Sequence, residues 1–200
     1  LHIERHLKRL RFVVTGTPGV GKHTSARIIA DKINAEIIDI NHVAIDNNAI
    51  SGKTDLGLDV DVKRLAKLLE KILNTKSNDL MIVGHLAPYV LKSEDIGMVA
   101  VLRRSPYELE KTLEERGYSA DKARENVASE ILGTALYDSL KTFSRRRVAE
   151  FDTTGKSPNE TAEEILAALQ KKPRSRPASL EIDWLNLVSE KGDMRRFFKY

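Results

Sequence analysis

The chain has 200 residues, 41% hydrophobic and 31% charged, enough for one well-buried α/β domain and not comfortably two. It has no cysteine, which excludes disulfides and thiolate metal sites and fits a reducing cytoplasm. A formal net charge of +4 suits anionic partners, nucleotides or RNA, without choosing between them.

No apolar run reaches the ~18 residues that a membrane span needs. Residues 1–11 are basic and amphipathic, without an apolar core or small-residue cleavage site, so no signal peptide is expected. Phe12-Val13-Val14-Thr15 reads as a short buried strand entering a glycine-rich turn. Residues 22–33 carry Ala26, Ile29, Ala30 and Ile33 at helical spacing. A second strand is expected over 35–40, then a polar, irregular loop or short lid over 40–58. Val62, Leu65, Leu68, Leu69 and Ile72 share one face of an amphipathic helix over 59–73. Strands follow at 80–83 and 98–102. Ser105-Pro106-Tyr107-Glu108 is a cap-and-proline helix start, and that helix runs to about Glu115. Beyond Arg116-Gly117-Tyr118 one long helix is expected from about Ala120 to Lys141. A fifth strand at 148–151 precedes a helix opened by Ser157-Pro158-Asn159-Glu160 and running through Gln170. Residues 171–178, rich in Lys, Arg, Pro and Ser, read as a linker. Residues 180–200 are too apolar for a plain tail, and docking on the body or on a partner is expected. Strands alternating with helices imply a five-stranded parallel sheet with helices on both faces.

Between the first strand and first helix lies Gly16-Thr17-Pro18-Gly19-Val20-Gly21-Lys22-His23-Thr24. Glycines let backbone N–H groups turn inward around phosphate oxygens, and the helix N-terminus adds its dipole. Lysine reaches the β and γ phosphates. The segment is a P-loop of the NTPase class, with ATP as the expected ligand of Gly19, Val20, Gly21, Lys22, His23 and Thr24. The strict pattern puts a Mg²⁺-binding hydroxyl directly after the lysine, but here His23 stands there and Thr24 comes one later. The backbone N–H of His23 suffices as a donor, with or without a role for its imidazole.

This Lys-X-Thr order, with Pro18 ahead of it, resembles the phosphate loop of the adenylate kinases. Val101-Leu102-Arg103, Leu113-Glu114-Glu115-Arg116-Gly117-Tyr118 and Asn126-Val127-Ala128-Ser129-Glu130-Ile131 narrow the resemblance to the atypical adenylate kinases of the isoenzyme-six type. It spans about residues 11–170. The resemblance implies a nucleoside monophosphate kinase domain over 1–171, with an acceptor segment near 39–58 and a lid near 115–125. Residues 172–200 are then a basic linker and extension. Mg²⁺ would be held through nucleotide phosphates and water, with no metal bound by the protein itself. Arg116 would contact ATP phosphates as a catalytic residue beside Lys22; a solvated helix-end arginine is the plain alternative. Lys156 matches a nucleotide contact near the base, or is a surface lysine. Asp39, at a strand's carboxyl end, would face the acceptor nucleotide, or cap a loop. Eukaryotic members end the third strand Asp-x-His, whereas this chain reads Val83-Gly84-His85. His85 would orient water, pair with phosphate, or only bond a backbone carbonyl.

The resemblance implies transfer of the ATP γ-phosphate to AMP or another nucleoside monophosphate, with ATPase activity as a further expectation. It also implies small ribosomal subunit maturation through a platform ribosomal protein of the S-eleven type. Arg145-Arg146-Arg147 and the basic linker suit a place near rRNA. A kinase of another small metabolite is the remaining reading. No membrane partner is expected.

Overall fold

The computed structural model describes residues 10–54, 57–170 and 182–198; the segment before Leu10 and the basic linker lie outside them. Chain order begins β1 (Arg11–Gly16), α1 (Lys22–Ile33), β2 (Glu36–Asp39), α2 (Ile40–Asp46), β3 (Ile50–Thr54) and β4 (Gly57–Val60). It continues α3 (Val62–Thr75), β5 (Leu80–Val83), α4 (Ala87–Val90), β6 (Met98–Arg103), α5 (Pro106–Glu115), α6 (Ala120–Ile131) and α7 (Thr134–Thr142). β7 (Val148–Asp152), α8 (Pro158–Gln170), α9 (Trp184–Glu190) and α10 (Met194–Phe197) complete it.

Five strands form a parallel sheet in the order β2-β5-β1-β6-β7. The inner strands are apolar on both faces, as a sheet covered by helices on each side requires. Phe12, Val14, Met81, Val83, Ala100 and Leu102 pack with residues of α1, α5, α6, α8, α9 and α10. Val13, Ile82, Val99 and Val101 alternate to the other face, against residues of α2, α3, α4 and α7. Because β1 lies between β5 and β6, its carboxyl end opens at the point where the winding reverses. Ligands collect at that crevice.

All five expected strands are present, but two expectations are corrected. The helix expected over 120–141 is two helices. Gly133, at φ 67°, occupies the left-handed region and begins α7, so the path turns where one continuous helix was expected. Residues 40–58 are not irregular either. Asp39 caps α2 through the amides of Asn41 and His42, and β3 and β4 pair antiparallel as a separate two-stranded hairpin. The segment 182–198 docks on the body: Val188 and Phe197 are fully buried in the first core cluster.

Candidate nucleotide site

The phosphate loop leaves β1 and returns as α1. Gly19 sits at φ +95°, and a Cβ there would lie 2.7 Å from Leu109 Cδ1, so α5 packs directly under the loop. Val20 is buried in the core. Gly21 starts α1 in the left-handed region with no side-chain cap, leaving the first-turn amides open to an anion. Thr24 is exposed on that first turn. Lys22 is buried, and its Nζ donates to the Thr17 carbonyl at 2.8 Å. Burial pulls its pKa down from 10.5 to about 8; Arg116 pushes the same way, while Glu130 and Asp39 oppose it. Lys22 stays charged near pH 7, and an entering phosphate would raise its pKa again.

The other expected residues gather around Lys22. Asp39 ends β2 and does two jobs at once. It caps α2, and its Oδ2 lies 3.0 Å from His23 Nε2. Burial raises its pKa, but the hydrogen bond and charge of His23 and the two helix amides outweigh this and hold it below the usual range. The His23 imidazole is therefore turned to Asp39 while its main chain serves the loop. His85 lines the cleft with an open face toward solvent. Enclosure lowers its pKa to about 4, and the charges of Lys22 and His23 add to the effect. It is a neutral imidazole near pH 7. Val83, before it, is buried in the core and supplies no oxygen.

Arg116 follows α5 in a Schellman turn. Gly117 N–H donates to the Glu114 carbonyl and Tyr118 N–H to that of Leu113, at 2.9 and 3.1 Å. Gly117 adopts φ +74°, which explains the Arg-Gly-Tyr order. The turn aims Arg116 and Tyr118 into the cleft, and α6 adds Lys122, Asn126 and Ser129 along one stripe. The cleft has a volume of about 760 Å³. Gly16, Thr17, Pro18, Gly19, Lys22 and His23 line it. Asn41, Ala44, Ile45, Ile50, Asp59 and Val60 of α2 and the hairpin line it as well. Lys156 is not brought into this lining; its Nζ pairs with Glu164 of α8 at 2.8 Å. Its turn still touches the loop, since Thr153 Oγ1 donates to the Val20 carbonyl at 3.3 Å.

Two features escape sequence reasoning. The first is a buried network behind the loop. Thr17 Oγ1 donates to Glu130 Oε2 at 2.6 Å, and Arg103 Nε donates to Glu130 Oε1 at 2.6 Å. Arg103 also bonds Glu150. A charged residue inside the apolar stripe Ala123, Val127, Ile131 was the available signal. The second is Tyr89, whose hydroxyl donates to Asp138; this pair bridges α4 and α7, and both residues line the cleft. Among the described residues no three His, Cys, Asp or Glu side chains form a metal cage.

Parallel order, winding and loop define a P-loop protein of the kinase-like α/β class. A family model described as an AAA domain matches residues 13–133. The chain is 34% identical to a protein of Thermococcus gammatolerans and 35% identical to one of Pyrococcus furiosus, both named "Putative adenylate kinase". Each match covers 88% of this chain, and 94% and 92% of those proteins respectively. The chain belongs to their family, the atypical adenylate kinases. A shikimate kinase from Bacteroides thetaiotaomicron, 15% identical, superposes with a TM-score of 0.55 over 81% of this chain and 99% of its own. That likeness concerns the fold alone. No helix among the described residues is long and apolar enough to cross a membrane.

Proposed function

We propose that the chain transfers the γ-phosphate of ATP to a nucleoside monophosphate, with AMP the first acceptor to test. One observation carries the reading. A single cleft is lined both by the lysine-bearing phosphate loop and by the α2–hairpin wall, with the exposed Arg116 among its lining residues. Two nucleotides meeting head to head would place the transferring group beside Lys22 and Arg116. Phosphoryl transfer asks mainly for such positioning and charge clamping. Mg²⁺, when bound with the nucleotide, supplies further charge neutralisation. Asp39 and the neutral His85 stand near the reacting end, where they orient acceptor or water. Lys156 would reach the base end of ATP after releasing Glu164.

Purified protein with Mg²⁺-ATP and AMP is expected to form ADP well above an ATP-only control. The absence of ADP across AMP, CMP, GMP and UMP would sink the kinase reading. A second reading, ATP-driven assembly of the small ribosomal subunit, draws on exposed Arg145 and Arg146 before β7 and on hydrolysis in place of transfer. Its check is co-purification of a platform protein of the S-eleven type, and whether Lys22→Ala releases it.

A further inference from the structure

The phosphate loop is supported from behind by a group supplied from the far end of the chain. Glu130 is 1% exposed. Its Oε2 accepts from Thr17 on the loop, and its Oε1 from Arg103, from the Arg104 amide at 3.1 Å and from Trp184 Nε1 at 3.2 Å. Thr17 in turn offers the carbonyl that receives Lys22 Nζ. A continuous path thus runs from Trp184 through Glu130 and Thr17 to the catalytic lysine. Arg103 lies between two carboxylates, Glu130 and Glu150. Arg103 alone balances one of these charges. The segment adds a donor at each, since Ile182 N–H bonds Glu150 and Trp184 bonds Glu130.

The segment is also held firmly. Tyr107 donates to Asp193 at 2.8 Å, and Arg196 to Glu110 at 2.5 Å. The rings of Tyr107 and Phe197 meet edge to face, with centroids 5.4 Å apart. These contacts fall on α5, whose Leu109 and Leu113 lie under Gly19. Two separate routes, one polar and one apolar, therefore connect residues 182–198 to the loop.

We propose that Trp184 is a positioning residue for the phosphate loop, acting through Glu130, so that the docked segment 182–198 completes the ATP site in cis. The inference rests on ATP binding at the loop, as in the function proposed above, and on no particular acceptor.

The test uses the full chain. Trp184→Phe removes the indole N–H while keeping an aromatic ring; Thr17→Val cuts the same path at its other end and leaves the segment's packing intact. Titration calorimetry with Mg²⁺-ATP is expected to show about five-fold weaker binding for each variant, since hydrogen bonds to a buried charge are coupled. The double variant should bind no worse than the weaker single one. Both single variants should melt somewhat below wild type while staying folded, since each leaves the buried Glu130 carboxylate one donor short. Trp184 is the chain's one tryptophan, so its emission reports the docked segment: ATP should change it in wild type and change it far less in Thr17→Val, where only the apolar route through α5 is left. Wild-type affinity in Trp184→Phe, or losses that multiply in the double variant, would overturn the inference. If Trp184→Phe does not fold, the emission of wild type and Thr17→Val decides: a response to ATP much smaller in Thr17→Val supports the path, and an equal response refutes it. A wild-type protein that binds ATP but phosphorylates no nucleoside monophosphate breaks the kinase reading and leaves this inference standing.

Discussion

At the phosphate-loop end of the cleft, the chain is fixed from behind by buried polar bonds: Thr17 to Glu130, Glu130 to Arg103, Thr153 to the Val20 carbonyl. The other end is a thinner structure. The short helix α2 and the two-stranded hairpin contribute Ala44, Ile45, Ile50 and Val60, with Asn41 and Asp59 as the polar groups, and Ile45 is half exposed. Backbone donors and fixed cations suit phosphates, which look alike on every nucleotide. Small apolar side chains on an exposed wall suit a base and sugar whose identity varies. On the function proposed above, the rigid end would determine whether ATP binds, and the thin end which acceptor is used.

The sharpest break of this contrast is Lys22→Met. Removing the buried cation should weaken ATP about 100-fold or more, by loss of its charge-assisted bonds to phosphate. The same change should stabilise the empty protein by about 1–3 kcal/mol. In the folded chain the Lys22 pKa falls from 10.5 to about 8, so between those values the unfolded chain binds more protons. The cost of burying the charge is thus fully present below pH 8 and fades as pH rises toward 10.5. Nucleotide-free melts of both proteins at pH 7 and pH 10 check this. A variant that melts below wild type at pH 7 would contradict it.

Arg116→Ala comes next. The arginine stands on the rim, outside the buried network, and its charge reaches Lys22. Turnover should fall about 100-fold, with ATP affinity changed less than about ten-fold and melting unaltered. Equal losses in kcat and in ATP binding would make Arg116 a ground-state contact only.

The two ends also differ in how far the sequence revealed them. The loop was legible because glycines and one lysine prescribe a backbone shape, and Arg-Gly-Tyr because a glycine after a helix end prescribes a Schellman turn. The hairpin was not: Leu56, Leu58 and Val60 alternate, but the run is short and residues 51–55 before it are polar and glycine-bearing, with no apolar partner run to announce a second strand. Gly133 was passed over because a lone glycine is tolerated inside a helix, and its left-handed φ appears only in the fold. Glu130 was visible as part of a motif, but its partners Thr17 and Trp184 lie 113 and 54 residues away. Only the folded sheet brings them together.

Asp39→Ala tests the thin end. It removes the cap of α2, at a cost of about 1 kcal/mol, and tilts the wall carrying Asn41, Ala44 and Ile45. The KM for the acceptor should rise about ten-fold while that for ATP stays near wild type. Asp39 has a depressed pKa in the folded chain. Its contribution is therefore present above the ordinary carboxylate value of 3.8 and is lost as pH falls through the lower folded value. Acid melts of wild type and variant should converge only below that point.

His23→Ala should have the smallest effect, because the side chain at the expected Mg²⁺-hydroxyl position faces Asp39 and is half exposed. Exposed ion pairs contribute little, so ATP affinity should change by less than about three-fold. The change should instead appear at Asp39, whose carboxyl pKa should rise once its imidazole partner is gone, as followed by NMR titration. If ATP affinity falls steeply while Asp39 titrates as before, the imidazole acts on the nucleotide directly. His23 would then serve the rigid end through its side chain as well as its main chain.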